Sequence, residues 1–221
     1  MDNTVWFLTS NAGKLAEAAQ FFSKLGVAVH ALEVPEGSVV EPQASTLKEV
    51  AEAKIRQALN HLPHDNAMVL VEDAGLFVDA LDGFPGVYSS YVHETIGNAG
   101  LLRLLSHLLS EDPARSKRLR SASFQAVAAL WDGKEIHVGQ GVCKGSIAYG
   151  IEGDGGFGYD PIFIPSDLDE EGMPLDPETL GVVSTHGQTF GSVEADMKHQ
   201  FSHRRRALED IAQQMQHLLN R

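Results

Sequence analysis

The sequence predicts an α/β protein with a mixed β-sheet, and three observations carry that prediction. Short apolar runs alternate with amphipathic helical stretches through residues 4–75. The run Met68-Val69-Leu70-Val71 meets a pair of carboxylates, Glu72 and Asp73. Two later β-like runs flank Asp132-Gly133-Lys134, whose Asp-Gly pair is a signature of hairpins. Strand-helix alternation implies parallel strands with helices on the sheet faces, and the hairpin adds antiparallel pairing.

Residues 4–9 form a buried apolar strand, followed by a helix from Asn11 to Leu25 with Leu15, Ala18, Ala19, Phe22 and Leu25 at helical spacing, which Gly26 stops. A second strand covers about 27–34. A helix over about 46–60 takes its apolar face from Leu47, Val50, Ala51, Ile55, Ala58 and Leu59. The third strand ends at Glu72-Asp73-Ala74-Gly75, and a second strand-like run leads to Gly83-Phe84-Pro85-Gly86. Leu101–Leu109 is leucine-rich and helical, Ser121–Trp131 and Glu135–Lys144 are the hairpin strands, and Ser202–Leu219 is a closing helix with a stripe of Leu208, Ile211, Met215 and Leu218.

A chain of 221 residues with 43% hydrophobic and 21% charged residues has the composition of one soluble globular domain spanning 1–221. The start Met1-Asp2-Asn3-Thr4 lacks a basic, apolar leader, and no run is long enough for a membrane span. The single cysteine, Cys143, excludes an internal disulfide and suits the cytoplasm. A net charge of −13 opposes nucleic-acid binding. It leaves room for a small anionic ligand where cations gather or a divalent metal offsets the carboxylates. The ten histidines are scattered without zinc-site spacing.

Four segments hold groups suited to chemistry. At the first strand-helix junction, Thr9-Ser10-Asn11-Ala12-Gly13-Lys14 offers helix N–H groups and a cation to a phosphate. It is not a Walker A loop, because Leu8 and Leu15 occupy the positions that need Gly and Ser or Thr. A helix start capped by Asn11 or Ser10 explains it equally well. Glu72 and Asp73 lie where open α/β sheets bind ligands, or they cap a turn. Gly155-Gly156-Phe157-Gly158-Tyr159-Asp160-Pro161 combines close backbone approach with two aromatic faces for a base, or forms a glycine-rich turn with an inward aromatic. Ser202-His203-Arg204-Arg205-Arg206 puts cations at a helix N-terminus, against its dipole, and calls for a phosphate or acidic side chains nearby.

Two further segments read more plainly. Glu49 and Lys54 point in different directions on one helix and fit a solvated face. Asp167-Leu168-Asp169-Glu170-Glu171-Gly172 with Glu178 has calcium-loop spacing. Pro174 and the strand-like residues before the segment point instead to a mobile acidic surface loop.

Taken in order, Thr9-x-Asn11-x-x-Lys14, Glu49, Glu72-Asp73-Ala74-Gly75 with Gly83-x-Pro85-Gly86-Val87-Tyr88-Ser89, Gly156-Phe157-Gly158-Tyr159-Asp160-Pro161, and Lys198 with Ser202-His203-Arg204 resemble the inosine triphosphate pyrophosphatase family over nearly the whole chain. The resemblance implies an elongated fold with a long twisted mixed sheet, two lobes with a central cleft, and a homodimer. It implies Mg²⁺-dependent hydrolysis of inosine, deoxyinosine and xanthosine triphosphates to monophosphate and pyrophosphate. On it, Thr9 to Lys14 hold the triphosphate, Glu49 and Asp73 the metal, and Asp73 accepts a proton from the attacking water. Ala74 stands beside the phosphate, Phe157, Gly158, Tyr159 and Asp160 form the base pocket, and Lys198, His203 and Arg204 contact the nucleotide and select a 6-oxo base.

Glu72 and Ala74 depart from the family's Asp-Asp-Ser-Gly, Val50 from a frequent asparagine, and the segment 167–188 from its usual length. Those departures keep open a nucleotide-binding protein with weak or lost hydrolysis. A phosphatase of another metabolite is the further alternative.

Overall fold

The computed structural model describes residues 4–214. The chain divides into two compact units, one of Met1–Ala74, Ala126–Gly141 and His203–Arg221, the other of Gly75–Gln125 and Val142–Ser202. Six strands make a mixed sheet in the order β2-β1-β3-β4-β5-β6. They are β1 (Thr4–Leu8), β2 (Ala28–Ala31), β3 (Met68–Val78), β4 (Ser121–Trp131), β5 (Ile136–Ile147) and β6 (Phe163–Pro165).

In the first unit, β1 pairs in parallel with β2 on one side and β3 on the other. The crossover helices are α1 (Ala12–Ser23) and α2 (Leu47–Ala58). The path steps outward through α1 and returns past β1 through α2, so the right-handed crossover rule puts these helices on opposite faces. Val5 and Phe7 alternate inward from β1 and meet Ala18 and Phe22 of α1. Leu208 and Ile211 of the closing helix, His203–Gln214, join the same core. Those two are half of the expected stripe; Met215 and Leu218 lie outside the described residues. Both crossover helices start as their sequences demand. Asn11 Oδ1 accepts from Lys14 N at 3.1 Å, and Thr46 and Glu49 form a reciprocal capping box on α2.

The second unit adds α3 (Ser89–Thr95), α4 (Gly97–Leu104), α5 (Pro113–Leu119) and α6 (Ala195–Gln200), the closing helix becoming α7. Its core gathers Leu76, Leu101, Phe163, Phe190 and Phe201. In it β5 and β6 pair antiparallel, Gly145 opposite Pro165. Arg120 is buried there, and Ile147 O, Leu105 O and Ala148 O accept its guanidinium N–H groups at 2.7–2.8 Å. Backbone carbonyls thus satisfy the N–H groups of a buried cation, whose guanidinium carbon also lies 4.8 Å from the centroid of the Tyr149 ring.

Several expectations shift. The helix expected over Leu101–Leu109 lies at Gly97–Leu104. The second strand shrinks to Ala28–Ala31. Helices α3, α5 and α6, of six or seven residues, are too short to show a helical period in sequence. The acidic segment is hydrogen-bonded to itself: Asp169 Oδ1 accepts from Glu171 N and Met173 N at 2.9 and 2.8 Å, and Asp167 Oδ2 from Gly181 N at 3.2 Å.

The most telling shift is in β3, which runs unbroken to Val78, so no turn occurs at Glu72-Asp73-Ala74-Gly75. Gly75 serves close approach instead: a Cβ there would run into Gly86 O and stand 2.9 Å from Ser89 Oγ. That hydroxyl accepts from Leu76 N at 2.8 Å and donates to Gly86 O at 2.6 Å. Gly75→Ala is expected to lower unfolding stability by about 1–3 kcal/mol, the usual cost of overpacking, measured by urea denaturation. An unchanged midpoint would show that the backbone at Gly86 yields freely.

Candidate active site

The register of β1 on β3 ends at Leu8 opposite Val71. Glu72 and Asp73 therefore stand just past the carboxyl end of the parallel strands, although β3 itself continues. Consecutive strand residues face opposite sides of a sheet. Glu72 faces α1 and α7, where its Oε2 lies 2.9 Å from Lys14 Nζ and 3.2 Å from Arg204 Nε. Asp73 faces α2, where its Oδ1 lies 3.5 Å from Lys54 Nζ.

Each carboxylate belongs to a longer chain of charges. Arg204 Nη1 also donates to Glu17 Oε2 at 2.6 Å, and Lys54 Nζ to Glu41 Oε1 at 2.9 Å. Two of the cations that start α7 are thus answered by acidic side chains, Arg204 by Glu17 and Glu72 of other segments and Arg205 by Glu209 of α7 itself at 3.1 Å.

The two carboxylates titrate in opposite directions. Burial alone would raise Glu72, whose side chain is fully enclosed, but Lys14 and Arg204 outweigh burial and hold it at about 2. For Asp73 burial wins, pushing the carboxyl above its ordinary value against the pull of Lys54 and Lys14. Burial lowers Lys54 and Arg204, yet their carboxylate partners leave both raised. Glu72 is thus fixed as an anion, while Asp73 is the more basic carboxylate, the property a proton acceptor needs.

Asp73 Oδ2 and Glu72 Oε1 are buried and have no hydrogen-bond partner among the described residues. Buried carboxylate oxygens are normally satisfied. An unpartnered oxygen on Asp73 fits a divalent cation, a hard ion that takes carboxylate ligands. Glu49 is engaged in the cap through one oxygen, its Oε2 accepting from Ser45 N and Thr46 N at 3.0 and 3.1 Å, so that Oε1 is the atom it could offer a cation. Among the described residues, the acidic, histidine or cysteine groups that gather three together within 4.8 Å are Asp132, Glu135 and His137 on the hairpin, and neither Glu49 nor Asp73 belongs to that triple.

In the second unit, the glycine-rich segment is organised by Asp160. Its Oδ2 accepts from Phe157 N at 2.7 Å and from Lys198 Nζ, on α6, at 2.6 Å. A Cβ on Gly156, at φ +73°, would strike that carboxylate. Phe157 is 52% exposed, with Lys198 Nζ 4.7 Å from its ring centroid. Tyr159 turns inward, donates its hydroxyl to Ser89 O at 3.0 Å, and is pushed by burial up to about 12. Of the two aromatics expected to offer a face, only Phe157 is exposed.

The sequence pattern of the Ham1 family matches residues 5–214. The chain belongs to the Ham1 family. A dITP/XTP pyrophosphatase from Thermococcus kodakarensis is 41% identical over 93% of this chain and 94% of its own. One from Ignicoccus hospitalis is 37% identical over 96% of each. Solved Ham1 proteins from Coxiella burnetii and Staphylococcus aureus share the mixed-sheet fold, with TM-scores of 0.73 and 0.70. They are 27% and 29% identical, and cover 97–98% of this chain and 98% of theirs.

Within this Ham1 chain, sequence reading missed the partners of the acidic pair. Lys54, taken for a surface residue, holds Asp73, while Glu17 and Glu41 complete the two charge chains. Lys54 is five positions from Glu49, so the helical period alone turns it away from the cap. Glu41 sits outside any regular element and carries no pattern at all.

Glu72 yields a pH-dependent expectation. Its folded value of about 2 lies below its ordinary 4.5, so its stabilising contribution is complete above about pH 4.5 and is lost as the pH falls through about 2. Glu72→Gln removes the buried carboxylate that Lys14 and Arg204 share, leaving Arg204 its pair with Glu17, and at pH 7 it is expected to cost about 3–5 kcal/mol, as breaking one side of a buried ion pair does. The gap to the parent chain should close on acidification below pH 4.5, followed by denaturant titrations. A gap constant down to pH 2 would place the cost outside the carboxylate's ionisation.

Proposed function

We propose that residues 1–221 act as one Mg²⁺-dependent pyrophosphatase domain. It hydrolyses non-standard purine nucleoside triphosphates, ITP, dITP and XTP, to the monophosphate and pyrophosphate, and so clears them from the cytoplasmic nucleotide pool. The observation that carries this reading is Asp73: a buried carboxyl raised above its ordinary value, with one oxygen unpartnered among the described residues, at the carboxyl end of parallel strands. The relatives named dITP/XTP pyrophosphatase supply the substrate class.

Asp73 takes the proton of the attacking water as the water oxygen bonds to the α-phosphorus. The bond between the α- and β-phosphoryl groups breaks and the electron pair leaves on pyrophosphate. The segment Thr9-Ser10-Asn11-Ala12-Gly13-Lys14 lies at the N-terminus of α1, whose dipole favours phosphate, and Ala74 stands beside it in this assignment. Lys14 and Lys54 supply positive charge near the two carboxylates. Mg²⁺, held by Asp73 and Glu49, would neutralise triphosphate charge and polarise the phosphoryl oxygen. Phe157 stacks on the purine, with Gly158, Tyr159 and Asp160 shaping its surroundings and Lys198, His203 and Arg204 contacting the nucleotide. Donors facing O6 accept a 6-oxo base and oppose the amino group of adenine, because donor against donor leaves both unpaired.

The chain also works as a homodimer in this reading. Phe84, Tyr88, Tyr91 and Ile96 are exposed large apolar residues, and with Val92 and Thr95 they line a hollow of about 350 Å³ in the second unit. Exposed apolar patches of this kind mark association surfaces. Among the described residues no helix is long and apolar enough to cross a membrane.

Two measurements test the proposal. In a panel of nucleoside triphosphates with separate detection of pyrophosphate and orthophosphate, ITP should release pyrophosphate far faster than ATP or GTP, and EDTA should stop turnover until Mg²⁺ is restored. Asp73→Asn should lower kcat by about 10²–10⁴-fold, the range of general base catalysis, with ITP binding still measurable by calorimetry; full activity in that variant would end the mechanism. For the dimer, light scattering should report twice the chain mass, and Tyr91→Glu should shift it to a monomer. A monomeric parent chain would refute the association.

A further inference from the structure

The base-side loop is held from behind as well as from its own carboxylate. Phe157 lies between two glycines, Gly156 and Gly158, both at positive φ, so its backbone has a soft pivot on either side. The first pivot is fixed by Phe157 N donating to Asp160 Oδ2. The second is fixed by another element, since Asn98 Nδ2, in the first turn of α4, donates to Gly158 O at 3.0 Å across 60 residues of sequence. Next to it, Tyr159 is seated by Ser89 O and by the edge of His93, whose ring centroid lies 5.2 Å away, both on α3.

Asn98 makes this bond at a cost. Its Oδ1 is buried and has no hydrogen-bond partner among the described residues, and turning the amide over would set that oxygen against Gly158 O. A buried amide that satisfies one end and leaves the other unpaired is a poor choice for stability alone. Such exceptions concentrate where function sets the residue.

We infer that Asn98 is a positioning residue for base recognition: by holding the Gly158 carbonyl it fixes the pivot behind Phe157 and so keeps that ring presented to the purine. The inference rests on the assignment of Phe157 to the base. Asn98 itself touches no reacting group and plays no part in phosphate chemistry.

The test separates base from phosphate. In Asn98→Ala, KM for ITP should rise about 3- to 10-fold, the effect of one hydrogen bond, with kcat within about twofold. Inorganic tripolyphosphate carries no base, so its inhibition constant against ITP should not move. The thermal midpoint should stay close to that of the parent chain, because an unpaired acceptor leaves together with the bond. Asn98→Asp keeps the shape, loses the donor, and should show at least the same rise in KM. A folded variant with unchanged KM, or one in which KM and the tripolyphosphate constant rise together, overturns the inference. If the parent chain neither bound nor hydrolysed ITP, the proposed function would fall with it; parent turnover with unmoved KM in both variants would sink the role of Asn98 alone.

Discussion

Enclosing the carboxylate of Glu72 is the constraint around which the first unit is organised. A carboxylate without solvent is tolerable only when it is paired, and Glu72 draws one cation from the start of α1 and another from the start of α7. Those helices, the first and the last among the described residues, are thereby tied to the same strand. The ion pairs need not make a large net contribution to stability to matter. They fix which residue of each helix faces β3, because a shift of either helix would strand a buried charge.

The strand's two-residue period then separates two jobs that neighbouring carboxylates would otherwise share. Side by side in sequence, Glu72 and Asp73 address different helices. On one face two cations overwhelm burial and the carboxyl is locked as an anion. On the other, burial prevails over Lys54, which sits at 3.5 Å and is shared with Glu41, and over the more distant pull of Lys14, and the carboxyl stays more basic. A pair of adjacent acids thus becomes one fixed anion and one more basic carboxylate, set apart by the pleat and by how closely cations answer each one's burial.

The sequence carried the elements whose cause is local. The strand-helix alternation, the Asn11 cap and the Asp-Gly hairpin each follow from a few neighbouring residues, and each stands where expected. What escaped depends on residues far apart in the chain. Glu72-Asp73-Ala74-Gly75 looks like a turn by composition, yet β3 continues through it, and Gly75 is small because the Gly86 carbonyl lies against it. Lys54 looked solvated because its partners Glu41 and Asp73 lie 13 and 19 positions away. Asn98 gave no signal, since its one bond spans 60 residues to a carbonyl whose orientation depends on a glycine at positive φ.

The departures from the family pattern acquire a physical reading in this setting. Glutamate at position 72 has one methylene more than aspartate, reach enough to place a single oxygen near both Lys14 and Arg204. Ala74, in place of serine, packs against the apolar core of the first unit, where a hydroxyl would need a partner of its own. Val50, in place of a frequent asparagine, is 2% exposed on the buried face of α2. All three changes therefore act on packing or on the fixed-anion side of β3, and none removes the carboxyl of Asp73 or its lysine. A chain that had lost its chemistry would have no reason to keep Asp73 buried, raised and short of a partner for one oxygen, and this favours the hydrolase over a pocket that only binds.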